Sequence, residues 1–198
     1  GASVNQNSAI MYITSHNIPW ITSIKKSKNK NSYYEYEGNS ERLFDQDGYP
    51  GSKPPWGTLT SINLNNGKIV WQVPFGEYDE LTKKGIPITG TENYGGATGT
   101  AGNIIFATGT VDKKIRAFDS TNGNEVWSYQ LKFAGSGPPT TFFADKKQYV
   151  IVASTGSFSL SSGYKDINYG NLLYCFYLEE WKFITEKLFT TIKKLMLY

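Results

Sequence analysis

A pattern that closes on tryptophan occurs twice in this chain. Leu59-Thr60-Ser61-Ile62-Asn63-Leu64-Asn65-Asn66-Gly67-Lys68-Ile69-Val70-Trp71 returns as Ile115-Arg116-Ala117-Phe118-Asp119-Ser120-Thr121-Asn122-Gly123-Asn124-Glu125-Val126-Trp127, and Ile62/Phe118, Asn63/Asp119, Gly67/Gly123 and Trp71/Trp127 each lie 56 residues apart. A fixed period of this size marks a repeat architecture, in which each unit buries its apolar face against the next. Each copy reads as strand, tight turn, strand. Asn66-Gly67 and Asn122-Gly123 supply positive φ at low cost, as a two-residue hairpin turn requires. One hairpin cannot bury an indole alone, so each Trp is expected to pack against the neighbouring repeat.

Further strands flank these hairpins. Gly95–Thr100 and Asn103–Thr108 precede the second copy and, with Lys113–Asp119 and Asn124–Gln130, make a four-stranded antiparallel unit, one propeller blade. Ser8–Thr14 and Gly57–Trp71 suggest an earlier unit; Thr140–Ala144, Gln148–Ala153 and Leu172–Leu178 give three strands of a later one. Twenty Gly, fourteen Tyr and eleven Phe beside two Met agree with strands and turns rather than a helical bundle. The expected architecture is all-β: an incomplete β-propeller of about three four-stranded blades, near residues 1–75, 94–132 and 138–178. Propellers close with four to eight blades, so the expectation is a portion of a larger ring. The opening Gly1-Ala2-Ser3, which is no basic-then-apolar leader, agrees with that. A small β-sandwich is the competing architecture.

Two segments stand outside the blades. Residues 21–56 read as a long polar loop carrying Lys25, Lys26, Lys28 and Lys30 before Tyr33-Tyr34-Glu35-Tyr36. The basic cluster is read as solvated. The tail, 179–198, spaces Trp181, Ile184, Leu188, Ile192 and Leu195 at helical intervals and predicts an amphipathic helix, which covers a sheet edge or touches a membrane or partner, with a poorly ordered tail as the alternative.

Composition excludes several chemistries. With 39% hydrophobic residues the chain can build a core, so disorder throughout is excluded. A net charge of +3 and only two arginines, Arg42 and Arg116, leave little for nucleic-acid readout. One His and one Cys, His16 and Cys175, cannot form a Cys/His zinc site or an internal disulfide. There is no Gly-x-Ser-x-Gly elbow. Gly90 to Gly95 has the Walker spacing, but Gly96 and Ala97 follow where Lys and Ser/Thr belong. Asp45-Gln46-Asp47-Gly48 fails as a calcium loop because its Gly comes early and Trp56 replaces the closing Glu.

Pro54-Pro55-Trp56-Gly57-Thr58-Leu59-Thr60, the two hairpins, Gly90-Thr91-Glu92-Asn93-Tyr94-Gly95-Gly96 and Lys147-Gln148-Tyr149-Val150-Ile151-Val152-Ala153 together resemble the C-terminal blades of pyrroloquinoline quinone (PQQ)-dependent dehydrogenases, the quinoprotein glucose dehydrogenase group above all. The hairpins are similar to that family's tryptophan-docking repeat, and Gly170–Leu178 looks like its last strand. The resemblance covers about residues 1–178; the tail departs from it. It implies an eight-bladed ring with PQQ and a calcium ion near the axis. It also implies oxidation of a sugar or alcohol hydroxyl with hydride transfer to PQQ, and electrons passed to a membrane quinone or other acceptor. The implied location is periplasmic, with membrane association. The catalytic Asp and main calcium ligands belong to upstream blades, so the chain alone is expected to be inactive and to need the remaining blades as partners, with no nucleic acid.

The same resemblance points to four residues at the cofactor. Asn17, with His16 competing for the role, matches an Asn that hydrogen-bonds the quinone; a polar strand-end cap is the alternative. Tyr94 stands where relatives place an aromatic beside the cofactor; blade packing is the alternative. Asp112 matches an acidic position near the pocket, against a turn Asp. Gly156 matches a glycine loop approaching the cofactor, although the relatives' Gly-Gly-His-like signature is absent. A non-enzymatic propeller of the outer-membrane assembly lipoprotein type is the other functional reading.

Overall fold

The computed structural model describes residues 1–165, 167–178 and 192–197. The first sheet opens with β1 (Ala2–Asn5) and β2 (Ile10–His16). The chain leaves it for a separate hairpin, β3 (Trp20–Lys26) and β4 (Tyr36–Arg42), and returns as β5 (Gly57–Asn63) and β6 (Lys68–Pro74). After one helical turn, α1 (Asp79–Thr82), the second sheet comprises β7 (Asn93–Gly99), β8 (Ile104–Thr110), β9 (Lys114–Asp119) and β10 (Glu125–Gln130). The third comprises β11 (Thr140–Ala144), β12 (Lys147–Ser154) and, after α2 (Phe158–Ser161), β13 (Leu172–Leu178) and β14 (Ile192–Leu197). In all three sheets the strands pair antiparallel and lie in chain order. These are propeller blades, and the ring they belong to is not closed.

The period of the side chains explains why the middle blade is so apolar. Successive residues of a strand face opposite sides of its sheet. Ile105, Ala107 and Phe118 join Tyr12, Leu59 and Phe75 in a core shared with the first blade. Phe106, Ile115 and Ala117 join Val150, Val152, Tyr174 and Phe176 in a core shared with the third. Cys175, between those last two, is also buried. Both faces of β8 and β9 are therefore covered, as a sheet packed between two others demands.

The tryptophans make the predicted seam. Trp71 Nε1 donates to the Ser120 carbonyl in the next blade's hairpin loop at 2.9 Å. The same indole stacks on Tyr12, centroids 6.2 Å apart. Trp127 meets Phe176 of the third blade edge-on at 5.2 Å.

Three expectations need correction. The repeat hairpins do not use two-residue turns. Gly67 N donates to Asn63 O and Gly123 N to Asp119 O, both at 2.8 Å, closing wider loops. In each, the Asx side chain at the strand end accepts from the backbone two residues on, Asn65 N at 2.9 Å and Thr121 N at 2.8 Å. That local bond starts the turn early, and the glycines, at φ +70° and +76°, finish it. The 21–56 loop contains the β3–β4 ladder, paired from Trp20↔Arg42 to Lys26↔Tyr36. Of the helix expected over 179–198, residues 179–191 and 198 lie outside the described residues. Over Ile192–Leu197 the backbone is instead the strand β14, paired with β13 from Leu178↔Ile192 to Leu173↔Leu197. A ladder there satisfies edge N–H and C=O groups of β13 that a helix leaves bare.

Candidate functional site

In an up-and-down antiparallel blade, the link between second and third strands and the link to the next blade emerge at the same end. The β2–β5 insertion, the 75–92 and 131–139 connections, the β8–β9 turn and the β12–β13 loop thus share one face. Their own apolar residues hold them together, with Ile18, Trp56, Tyr78 and Leu81 in one cluster and Ala134, Leu160 and Ile167 in another.

The two motif segments carrying the resemblance are one structural unit. Trp56 N donates to Thr89 O at 2.8 Å, and Asn17 N to Trp56 O at 2.9 Å. A Cβ on Gly57 would lie 1.9 Å from Thr91 O, and one on Gly90 would lie 2.0 Å from Gly57 O, so both positions admit only glycine.

Asn17 and Tyr94 are brought together through His16. Asn17 is exposed at the edge of a cavity of about 400 Å³ that Ser15, His16, Lys53 and Gln72 also line. Its amide makes no side-chain hydrogen bond among the described residues. His16 Nδ1 lies 3.0 Å from the Asn93 carbonyl, which can only accept, so Nδ1 carries a proton. In the neutral ring Nε2 then keeps its lone pair. The imidazole sits 5.0 Å from the Tyr94 ring.

Behind Tyr94 lies a buried charge pair that sequence reasoning missed. Tyr94 donates its hydroxyl proton to Glu92 Oε1 at 2.7 Å. Glu92 is fully buried and accepts from Arg42 Nε at 2.6 Å and Nη2 at 3.1 Å. Arg42 also donates to the Ser159 carbonyl and to Ser162 Oγ, and its guanidinium lies 4.7 Å from the Trp20 ring centroid. One side chain therefore ties the insertion to the second blade's entry strand and to the β12–β13 loop. Burial raises the Tyr94 hydroxyl above its ordinary range, and its bond to Glu92 raises it further.

Asp112 is committed elsewhere. Arg116 Nη1 and Nη2 donate to its two oxygens, Thr110 Oγ1 donates to Oδ1 at 2.5 Å and Glu77 N donates to Oδ2 at 2.9 Å. Burial alone would raise this carboxyl; the Arg116 charge and these hydrogen bonds outweigh it and hold the group below the usual carboxylate range. The residue borders a wider cleft of about 850 Å³ between Tyr49, Tyr78 and Tyr164. Tyr78, buried there, is pushed up to about 12. Gly156, at φ +81°, lines neither cavity; its N donates to Ala134 O at 2.9 Å, and a Cβ would meet Asn168 O at 2.4 Å. The four residues thus fall into three places.

The signal for the missed pair was composition. Both arginines of the sequence, Arg42 and Arg116, are buried and forked onto carboxylates. That is the use to which a rigid bidentate cation is best suited.

Comparison with known proteins gives the same answer over most of the chain. A quinate/shikimate dehydrogenase (quinone) of Acinetobacter baylyi is 35% identical over 129 residues, 62% of this chain and 16% of that protein. Quinoprotein glucose dehydrogenase A of Acinetobacter calcoaceticus is 33% identical over 118 residues, 55% of this chain and 14% of that one. The chain thus spans about a sixth of the length of these curated relatives. The quinohemoprotein alcohol dehydrogenase of Comamonas testosteroni shares the fold with a TM-score of 0.54 at 22% identity, over 77% of this chain and 21% of that one. The family model described as "PQQ: Glucose/ethanol/alcohol dehydrogenase, beta-propeller domain" matches residues 1–150. With three such blades and that match, the chain belongs to the PQQ β-propeller family of glucose, ethanol and alcohol dehydrogenases.

Proposed function

We propose that the chain supplies C-terminal blades of a longer PQQ-dependent enzyme that oxidises a sugar, cyclic polyol or alcohol hydroxyl. The observation that carries this reading is the family match over residues 1–150, on a chain whose blades present Asn17, His16 and Tyr94 side by side at one face. PQQ, when bound, supplies the two-electron acceptor. The residues at the smaller cavity suit a planar, anionic quinone. Asn17 offers a free amide and Lys53 a cation at its edge. Tyr94 does not line the cavity but packs against His16, which does, with Glu92 fixing its ring through the hydroxyl. Asp112 acts at one remove, by holding Arg116 and the Glu77 backbone, and Gly156 by letting the loop fold closely.

Calcium is a different matter. Among the described residues no cluster of three or more His, Cys, Asp or Glu is arranged to hold a metal ion. The described residues thus offer no carboxylate cluster for calcium, and the reading leaves its main ligands to the rest of the enzyme. The substrate, a quinone-type acceptor and a periplasmic, membrane-associated setting belong to the same proposal. None of the described helices is long and apolar enough to cross a membrane.

The test is PQQ titration of the full-length parent and of this chain, with glucose and quinate as trial substrates and an artificial dye as acceptor. The parent is expected to bind PQQ and reduce the dye, with weaker PQQ binding in Asn17→Ala; the chain alone is expected to give no turnover. A parent that binds no PQQ sinks the dehydrogenase reading, and turnover by the isolated chain sinks the dependence on upstream blades.

A further inference from the structure

We propose that the β3–β4 hairpin is an arm that docks the protein on an anionic lipid surface. This goes beyond the membrane-associated setting proposed above by naming the segment that makes the contact, and it does not rest on the PQQ chemistry. The arm is firm at its base and free at its tip. At the base, Trp20 pairs with Arg42, Leu43 N donates to Pro19 O at 2.9 Å, and the Arg42 side chain is locked into Glu92 with 5% of its surface exposed. A buried, forked ion pair is costly to separate, so the hairpin is held in place rather than tethered loosely. Beyond the base, β3 and β4 pair only with each other among the described residues.

The tip combines two kinds of side chain that a folded protein rarely leaves in water together. Ile24, Tyr33 and Tyr34 are 74%, 94% and 72% exposed, and Tyr36 is exposed beside them. Lys25, Lys26, Lys28 and Lys30 surround them, against Glu35 and Glu37. Glu35 is taken by Lys26 at 3.1 Å, while Lys25, Lys28 and Lys30 form no ion pair among the described residues. Tyrosine, with an apolar ring and a wet hydroxyl, suits the headgroup layer. Lysine can lay its stem on the apolar part and reach phosphate with its ammonium.

Shape decides between anionic partners. The tip is an exposed two-stranded end whose residues line neither cavity described above, so it does not offer the channel with stacking platforms that encloses a strand of nucleic acid. It also carries no arginine fork for base or phosphate readout. A flat, deformable, negatively charged surface meets such a projection without needing a cavity. Each lysine near such a surface is worth about fivefold in partitioning, so the three unpaired ones together are worth about a hundredfold.

The experiment is co-sedimentation of the intact chain with vesicles of phosphatidylcholine alone or mixed with phosphatidylglycerol. Binding is expected only to the mixed vesicles, and to weaken with salt. The triple variant Lys25→Gln/Lys28→Gln/Lys30→Gln should bind about a hundredfold more weakly. Tyr33→Ser/Tyr34→Ser should weaken binding several-fold by a similar factor at low and at high salt, because the ring contribution is not screened. The exposed pair Lys83→Gln/Lys84→Gln, away from the arm, should bind as the unaltered chain does. All these side chains are exposed, so folding is unaffected. Equal binding to neutral vesicles, or tip variants that bind normally, would overturn the proposal. Tip-dependent binding to oligodeoxythymidylate that strips the chain from vesicles would reassign the arm to nucleic acid.

Discussion

Two glycines in equivalent turns offer a direct measure of what the contact of Trp71 with the next blade contributes. Gly67 and Gly123 close the same loop at nearly the same φ, +70° and +76°. An Ala at either position carries the left-handed strain of an L-residue, about 1–2 kcal/mol. Only their surroundings differ. Nothing lies within 4 Å of a Cβ on Gly67, whereas one on Gly123 would meet Trp71 Cε3 at 2.7 Å and Cδ2 at 3.0 Å. The indole cannot retreat freely, since it stacks on Tyr12 and donates to Ser120 O. Overpacking of this kind costs about 1–3 kcal/mol. Gly67→Ala should therefore lose about 1–2 kcal/mol and Gly123→Ala about 2–5 kcal/mol, the sum of both terms. Urea unfolding followed by tryptophan fluorescence reads the difference as a shift in midpoint at constant slope. Trp71→Phe in the Gly123→Ala background should give back part of the loss, because the smaller ring makes room. Equal destabilisation by the two alanines would show that both glycines serve the backbone alone, and would refute docking as the reason for Gly123.

Two further outcomes follow from the buried charges. Glu92→Gln strips the partner from a guanidinium that is almost fully buried, and should cost about 3–5 kcal/mol. Arg42→Met in the same background should recover much of it, as a double-mutant cycle in urea would show. Asp112, held below the unfolded value of about 3.9, adds stability that is fully present above that pH and is lost as pH falls through the lower folded value. Asp112→Asn should lower stability at neutral pH and flatten its acid dependence below about pH 4, read from urea midpoints across a pH series.

The blades were legible because their information is periodic. Trp71 and Trp127 fix the repeat, and the alternation of β8 and β9 reveals a sheet covered on both faces. The hairpin of β3 and β4 was not, because Tyr36-Glu37-Gly38-Asn39-Ser40-Glu41-Arg42 has no apolar alternation. Its ladder is stabilised instead by Arg42 reaching a carboxylate 50 positions along the chain. No local pattern encodes such a contact. The turns were misjudged for a related reason: Asn-Gly announces a positive φ but not the Asx bond that widens the loop. Resemblance pointed to Asn17, Tyr94, Asp112 and Gly156 together, and the structure brings only Asn17 and Tyr94 near each other, through His16. Resemblance could not show that the Asp112 carboxylate is already engaged by Arg116, since that depends on which face of β9 meets the β8–β9 turn.

Cys175 gives the third blade its own clock. It is the chain's single thiol, in the middle of β13 and 3% exposed. Burial also raises its pKa, so little of it is thiolate even where water reaches it. An alkylating reagent can react only when that sheet opens, and the rate of labelling in native buffer then counts the openings. Trp71 lies at the seam between the first two blades and is one of five tryptophans, so its own signal is the part of the indole emission that Trp71→Phe removes. Comparing thiol labelling with indole fluorescence would show whether the blades open one at a time, from an end, or all together.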